Sequence, residues 1–144
     1  MNYSKVILLA DDDKRDIELT IAALSENDLV NNVVVVNDGT EVLDYLYCRG
    51  KFENRPKGNP IVIMLDIKMP KMTGLEVLEI IKKDDTLKSI PVLILTSSRE
   101  DKDLIKSYQL GANSFVVKPV KYDEFIEAVS RLGMFWALVN EAPN

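Results

Sequence analysis

The chain has 144 residues, 47% of them hydrophobic and 28% charged, with a formal net charge of −5; this fits one globular domain with its own core and weighs against partners built on a phosphate backbone, so no nucleic acid is expected. The absence of histidine excludes Ser-His and Cys-His dyads, His-ligated metals and a phosphohistidine on this chain. The single cysteine, Cys48, has no partner for an internal disulfide, which suits a reducing cytoplasm. No apolar run approaches the ~20 residues that span a bilayer, and the amino-terminal run breaks into Asp11-Asp12-Asp13 without a small-residue cleavage site, so neither a membrane nor a signal peptide is expected.

In chain order, apolar runs alternate with helical patterns. Lys5–Ala10 (KVILLA) reads as a buried strand, and Asp13–Ser25 as a helix with Ile17, Ile21 and Leu24 on one face. Val33–Asn37 (VVVVN) is almost wholly β-branched, and Asn37-Asp38-Gly39 punctuates it, with Asp38 in a turn role. Thr40–Cys48 places Val42, Leu43 and Leu46 on one face, with Cys48 as apolar filling. Gly50–Pro60 is long, charged and rich in Gly and Pro, an exposed loop. Ile61–Leu65 (IVIML) is the third strand, and Gly74–Lys83 the third helix, started by the capping-box spacing of Thr73 and Glu76. Val92–Leu95, a polar helix through Arg99–Tyr108, Ser114–Val117 and a helix over Tyr122–Leu132 complete the pattern. Strands buried on both faces read as continuous apolar runs, and helices alternate with them in parallel α/β sheets. The expected architecture is a doubly wound five-stranded parallel sheet with helices on both faces, in the order 2-1-3-4-5.

In such sheets ligands bind outside the carboxyl ends of the strands, at the point where strand order reverses. The first strand runs into Asp11-Asp12-Asp13, the third into Asp66, the fourth into Thr96 and the fifth into Lys118. Taken singly, each has a bland reading: an acidic residue after a strand is often a helix cap, the role assigned to Asp13, and a lone threonine or lysine there is unremarked. Their joint placement at one edge is informative. The chosen order makes strands one and three neighbours, bringing Asp11, Asp12 and Asp66 together. Three carboxylates within ~5 Å repel by roughly 3 kcal/mol per pair at an effective dielectric near 20, so their pKa values rise or a cation joins them. An oxygen-only ligand set suits Mg²⁺ (or Mn²⁺), which recruits phosphate oxygens. Lys118 adds a point charge and Thr96 a rotatable donor. Asp66 is the candidate nucleophile, since a carboxylate attacks phosphorus to give an acyl phosphate. With no histidine here, the donor has to be another molecule. Asp12, Asp66 and the backbone carbonyl of Lys68 are expected to hold the metal, with Asp11 ordering a bound water.

ADDDKRD after the first strand, MLDIKMPKMTGLEVL with Pro70 and Gly74, ILTSS, and LGANSFVVKP, in this order, resemble the four motifs of response-regulator receiver domains, over about Lys5 to Leu132. The resemblance implies the flavodoxin-like (CheY-like) fold and a set of roles. Asp66 would be the phosphoacceptor, Asp11 and Asp12 metal ligands, Thr96 and Lys118 the contacts to the phosphoryl oxygens, and Phe115 the aromatic switch. Lys118-Pro119 would be a cis bond. The loop GKFENRPKGNP and the Phe135-Trp136 segment resemble, more narrowly, the single-domain regulators of cyanobacterial and bacterial phytochromes. On this resemblance the chain takes a phosphoryl group from a sensor histidine kinase and turns over no substrate beyond its own phosphorylation and dephosphorylation. Phe115 stands where many members have Tyr, so any switching there rests on packing. Lys68 and Ser98, two residues past Asp66 and Thr96, flank the site at positions that modulate phosphoryl lifetime in the family.

Residues 1–144 are thus read as a single receiver domain with 133–144 as a carboxyl-terminal extension. The residues after Leu132 are too few for a DNA-binding output domain, so output is expected through a protein contact or homodimer. That contact would use the face of helix four, strand five and helix five, together with Phe135 and Trp136. Three other readings remain open at this level. A haloacid-dehalogenase-like phosphatase is imitated by Asp11-x-Asp13, but no strand-end acidic pair follows Lys118 and Asp66 would go unexplained. A flavin-binding module would need a phosphate-binding turn where the aspartates stand. A degenerate receiver used as scaffold would have lost some of the five core positions.

Overall fold

The structure is a computed structural model that describes residues 6–25 and 32–133. Five strands, β1 (Ile7–Ala10), β2 (Val33–Val36), β3 (Val62–Asp66), β4 (Val92–Thr96) and β5 (Ser114–Val117), alternate with five helices, α1 (Lys14–Ser25), α2 (Gly39–Leu46), α3 (Gly74–Lys83), α4 (Lys102–Gln109) and α5 (Tyr122–Arg131). All strand pairs are parallel, in the order β2-β1-β3-β4-β5. The expected order is therefore the observed one.

The period-2 geometry of the strands divides the core in two. Leu8, Ala10, Ile63, Leu65, Val92 and Ile94 pack toward α2, α3 and α4. Ile7, Leu9, Val62, Met64, Leu93 and Leu95 pack toward Leu24 of α1 and Phe125, Ala128 and Val129 of α5. Every residue of β1, β3 and β4 is buried, which is why these strands show as unbroken apolar runs rather than alternating ones. At about 25 cal/mol per Å² of apolar surface, each buried Leu or Ile contributes about 1.5–3 kcal/mol, so the central strands are held far more firmly than the loops at their ends.

Several local expectations change. Asp38 does more than turn the chain: its side chain accepts from the Glu41 amide and caps α2, which therefore begins one residue early, at Gly39. There is no room for a side chain at that position, because a Cβ on Gly39 would sit 2.3 Å from the Met72 carbonyl oxygen. Cys48 is not helical filling. α2 stops at Leu46, and Cys48 is half-buried with a φ of 55°, in the left-handed region. The 50–60 loop is mostly exposed, as expected, but is tied down at Phe52 and Arg55. It starts with a 3-10 turn over Gly50–Phe52, Phe52 packs edge-on against Tyr45, and Arg55 lies 3.9 Å above the Tyr45 ring while donating to the Tyr45 carbonyl. The helix expected from Arg99 begins at Lys102, because Asp101 caps it through the Asp103 amide. The Thr73–Glu76 capping box is present in both directions, and Lys118-Pro119 is cis. Phe135, Trp136 and the rest of 134–144 lie outside the described residues, as does Lys5.

Candidate functional site

The carboxyl ends of β1, β3, β4 and β5 converge as their order requires. β1 ends at Ala10, so Asp11 follows directly; its amide still bonds to the Val36 carbonyl, and its Oδ1 accepts from the Asp13 amide. Asp11 is fully buried, and its second oxygen, Oδ2, has no hydrogen-bond partner. Asp66 is the last residue of β3, paired in register with Leu95. One ligand oxygen from each of Asp11, Asp12 and Asp66 falls within a 4.8 Å span. Asp12 is exposed at the mouth of this cluster, and Asp66 is 7% exposed.

Lys118 follows β5 and reaches across the sheet edge. Its Nζ donates to Asp16 Oδ2 at 2.9 Å and to Asp66 Oδ2 at 3.3 Å, and lies 3.5 Å from Asp11 Oδ2. Burial works against the ammonium, but the Asp16 hydrogen bond and the Asp66 and Asp11 charges outweigh it and hold the Lys118 pKa above that of an ordinary lysine. Asp66 is pushed up from 3.8 to about 6, first by burial and then by the Asp11 charge, with Lys118 offsetting only part of this. The buried orphan oxygen and the raised carboxyl are two signs of one condition: the cluster carries more negative charge than one lysine neutralises. The oxygen-only donor set and its spacing fit a hard divalent ion.

Beside Asp66 lies a pocket of about 110 Å³, lined by Asp66, Ile67, Lys68, Leu95, Thr96, Ser97, Asp101 and Lys118. It has room for several waters at ~10–15 Å³ each, or for a small tetrahedral group. Thr96 is buried, and its hydroxyl donates to the Ser98 carbonyl at 2.9 Å while accepting weakly from the Ser98 amide. That hydroxyl is thus held by its own loop and has to leave this bond to reach anything attached to Asp66. Phe115 is half-buried on β5, edge-on to Tyr108 at 6.2 Å and covered by the Arg99 guanidinium at 5.6 Å.

Asp13, read as a cap, is one: its Oδ1 accepts from the Asp16 amide. Gly74 sets the floor of the site. Its amide donates to the Ile67 carbonyl at 2.7 Å, and a Cβ there would lie 2.2 Å from the Asp66 carbonyl oxygen. Sequence reasoning missed Asp16, Ser97 and Asp101. Asp16 sits in the first turn of α1 rather than at a strand end, and only the fold brings it to a residue 102 positions away.

The family model described as the response regulator receiver domain matches residues 7–130. Among curated proteins, Response regulator Rcp1 of Synechocystis sp. is 36% identical over 135 residues, 94% of this chain and 90% of that one. The crystal structure of the Mn²⁺-bound form of response regulator Rcp1 superposes with a TM-score of 0.74 at 35% identity, covering 97% of each chain. The bacteriophytochrome response regulator AtBRR is 54% identical, with a TM-score of 0.88 over 97% of this chain and all of that one. The phosphorylated cyanobacterial phytochrome response regulator RcpA is 36% identical, with a TM-score of 0.75 over 97% of this chain and 99% of that one.

Proposed function

The chain belongs to the response regulator receiver domain family, and on that footing we propose that it is a single-domain regulator, over 1–144 with 133–144 as an extension, that carries a phosphoryl group on Asp66 within a phosphorelay. The observation that bears this reading is the position of Asp66, which faces the Asp11–Asp12 carboxylates, the Lys118 ammonium and a small pocket at once. The donor is a phosphohistidine on a sensor histidine kinase. Because AtBRR and RcpA are by name phytochrome regulators, a phytochrome is the kinase of choice.

In the transfer step an Asp66 carboxylate oxygen attacks phosphorus. The new P–O bond forms as the P–N bond of the donor breaks, and that bond's electron pair leaves with the imidazole. Lys118 neutralises a phosphoryl oxygen, and the Thr96 hydroxyl turns from the Ser98 carbonyl to donate to another. Asp12, Asp66 and the Lys68 backbone carbonyl would hold Mg²⁺ or Mn²⁺, with Asp11 ordering a bound water. When bound, the ion supplies positive charge against the phosphoryl oxygens, and phosphoryl transfer depends chiefly on such positioning and neutralisation. Hydrolysis reverses the occupancy: water attacks phosphorus, inorganic phosphate leaves, and the Asp66 carboxylate is regenerated. No substrate beyond this phosphoryl group is required.

Release of Thr96 leaves space into which Phe115 moves, changing the α4–β5–α5 face by a population shift. On that face Ile105 and Tyr108 of α4 are 66% and 44% exposed, as suits a homodimer or protein contact made in the cytoplasm. The described helices include none long and apolar enough to cross a membrane. The phosphatase reading has less support, because the Asp13 carboxylate it would use as an acid is engaged in capping α1. Intact mass after incubation with acetyl phosphate and Mg²⁺ tests the proposal. One phosphate-sized gain in wild type, lost in Asp66→Asn, is expected; a gain that survives in Asp66→Asn would overturn it.

A further inference from the structure

The shortest bond of the Lys118 ammonium is to neither the nucleophile nor a metal-cluster residue but to Asp16, at 2.9 Å, against 3.3 Å to Asp66 and 3.5 Å to Asp11. We propose that Asp16 is a positioning residue that holds Lys118 back from the phosphoryl site, so that the carboxylate competes with the phosphoryl group for the ammonium that contacts Asp66. The inference rests on the phosphoacceptor reading of Asp66 given above.

An ammonium has three donors. Here two hydrogen bonds hold it, to Asp16 and to Asp66, with Asp11 Oδ2 beside it at 3.5 Å as a charge contact, so a phosphoryl oxygen arriving on Asp66 competes with Asp16 for the ammonium. Asp11 is buried and immobile at the end of β1, with its Oδ1 bonded to the Asp13 amide. Asp16 is the more accessible partner, with its side chain 30% exposed on the first turn of α1. It therefore weakens anion capture in two ways. It binds the lysine that the anion needs, and it adds a negative charge of its own. Because both oxygens touch one nitrogen, Asp16 Oδ2 and Asp66 Oδ2 are no more than ~6 Å apart. At that distance, and with a dielectric nearer that of water because Asp16 is partly solvated, the repulsion amounts to a factor of roughly five in affinity. The bond also ties the start of α1 to the loop after β5, so capture of Lys118 by a phosphoryl group loosens α1 from that loop.

The experiment is titration of the full chain with beryllofluoride in saturating Mg²⁺, read by fluorine NMR or calorimetry, at low and high salt. Asp16→Asn is expected to bind roughly three- to tenfold more tightly than wild type, with the gap narrowing as salt rises. Asp16→Ala should move the same way, and Asp16→Glu should return toward wild type. Glu18→Gln, which removes an equal charge from an exposed position on the same helix, is expected to leave affinity unchanged. A merely structural role for Asp16 would lower affinity or leave it alone. Equal or weaker binding by Asp16→Asn and Asp16→Ala, with thermal unfolding still cooperative, would overturn the inference, as would an equal gain in Glu18→Gln. Wild type that binds no beryllofluoride would overturn the phosphoacceptor reading itself, and the inference with it.

Discussion

Removing the charge of Asp66 should make the metal-free protein more stable, although Asp66 is the proposed phosphoacceptor. The carboxyl stands at about 6 in the folded chain, against 3.8 for an ordinary aspartate. At about 1.4 kcal/mol per pKa unit, ionising it in the fold costs about 3 kcal/mol more than ionising it in the unfolded chain. The sign follows from proton binding. Between 3.8 and about 6 the folded state holds a proton that the unfolded state has lost, so stability falls as pH rises through this window and levels off above it. Below 3.8 both states are protonated and Asp66 contributes no difference. Asparagine stands in for the protonated acid at every pH. Asp66→Asn is therefore expected to match wild type near the lower limit and to exceed it by up to about 3 kcal/mol at high pH, of the order of 10 °C in Tm for a chain of this size. Urea unfolding of both proteins in EDTA, from acid to mildly alkaline pH, measures the difference directly, and titrations common to both chains cancel. A flat difference across the window, or an Asn variant less stable at high pH, would refute the claim that burial and Asp11 burden this carboxyl.

Mg²⁺ is expected to reverse that burden. At a hundredfold excess over its Kd it adds about 2.7 kcal/mol to wild type, much less to Asp66→Asn, and progressively less below pH 6, where a proton occupies the Asp66 carboxyl; thermal melts with and without the ion check this. Gly74→Ala places a methyl 2.2 Å from the Asp66 carbonyl oxygen, so it should cost about 1–3 kcal/mol by overpacking and also slow phosphorylation by acetyl phosphate, whereas a purely local defect would lower stability alone. Ile105, 66% exposed on α4, has little packing to lose, so Ile105→Glu should leave stability within about 0.5 kcal/mol while weakening self-association through the α4–β5–α5 face in sedimentation runs; unchanged association would remove that face as the contact.

What was legible in the sequence depended on how local its cause was. β1, β3 and β4 announced themselves because burial on both faces leaves no polar position before their last residue, and the candidate site residues Asp11, Asp66, Thr96 and Lys118 stood out because each ends or follows such a run. The Thr73 cap was legible because both of its bonds lie within four residues. Errors arose where two local signals competed. Ser98 and Asp101 both offer caps after β4, and Asp101 prevails, so Arg99 falls in a turn. The stretch ending at Cys48 looks helical throughout, yet the chain reverses there with a left-handed residue to bring Arg49 back to Asp44. Asp16 was invisible for a different reason: its partner is set by the β1–β3–β4–β5 order and by the path of the chain after β5, which no window of sequence contains.

The charges at the strand ends explain why these residue types belong together. Asp11, Asp16 and Asp66 surround Lys118 and Asp12 joins Asp11 and Asp66 in the acidic cluster, so the carboxylates outnumber the ammonium they share. A phosphoryl group adds nearly two negative charges, and at 4.8 Å and an effective dielectric near 20 each added like pair costs about 3–4 kcal/mol. Lys118 alone does not offset this, because its strongest contact is already spent on Asp16. A divalent cation changes the balance by more than a side chain could, and it needs the acidic excess in order to bind. The same excess that makes the cluster costly to fold is therefore what would make the proposed phosphorylation depend on the ion. Replacing Asp11 by a neutral residue would relieve the Asp66 carboxyl and, by that same relief, weaken both the hold on the ion and the dependence on it.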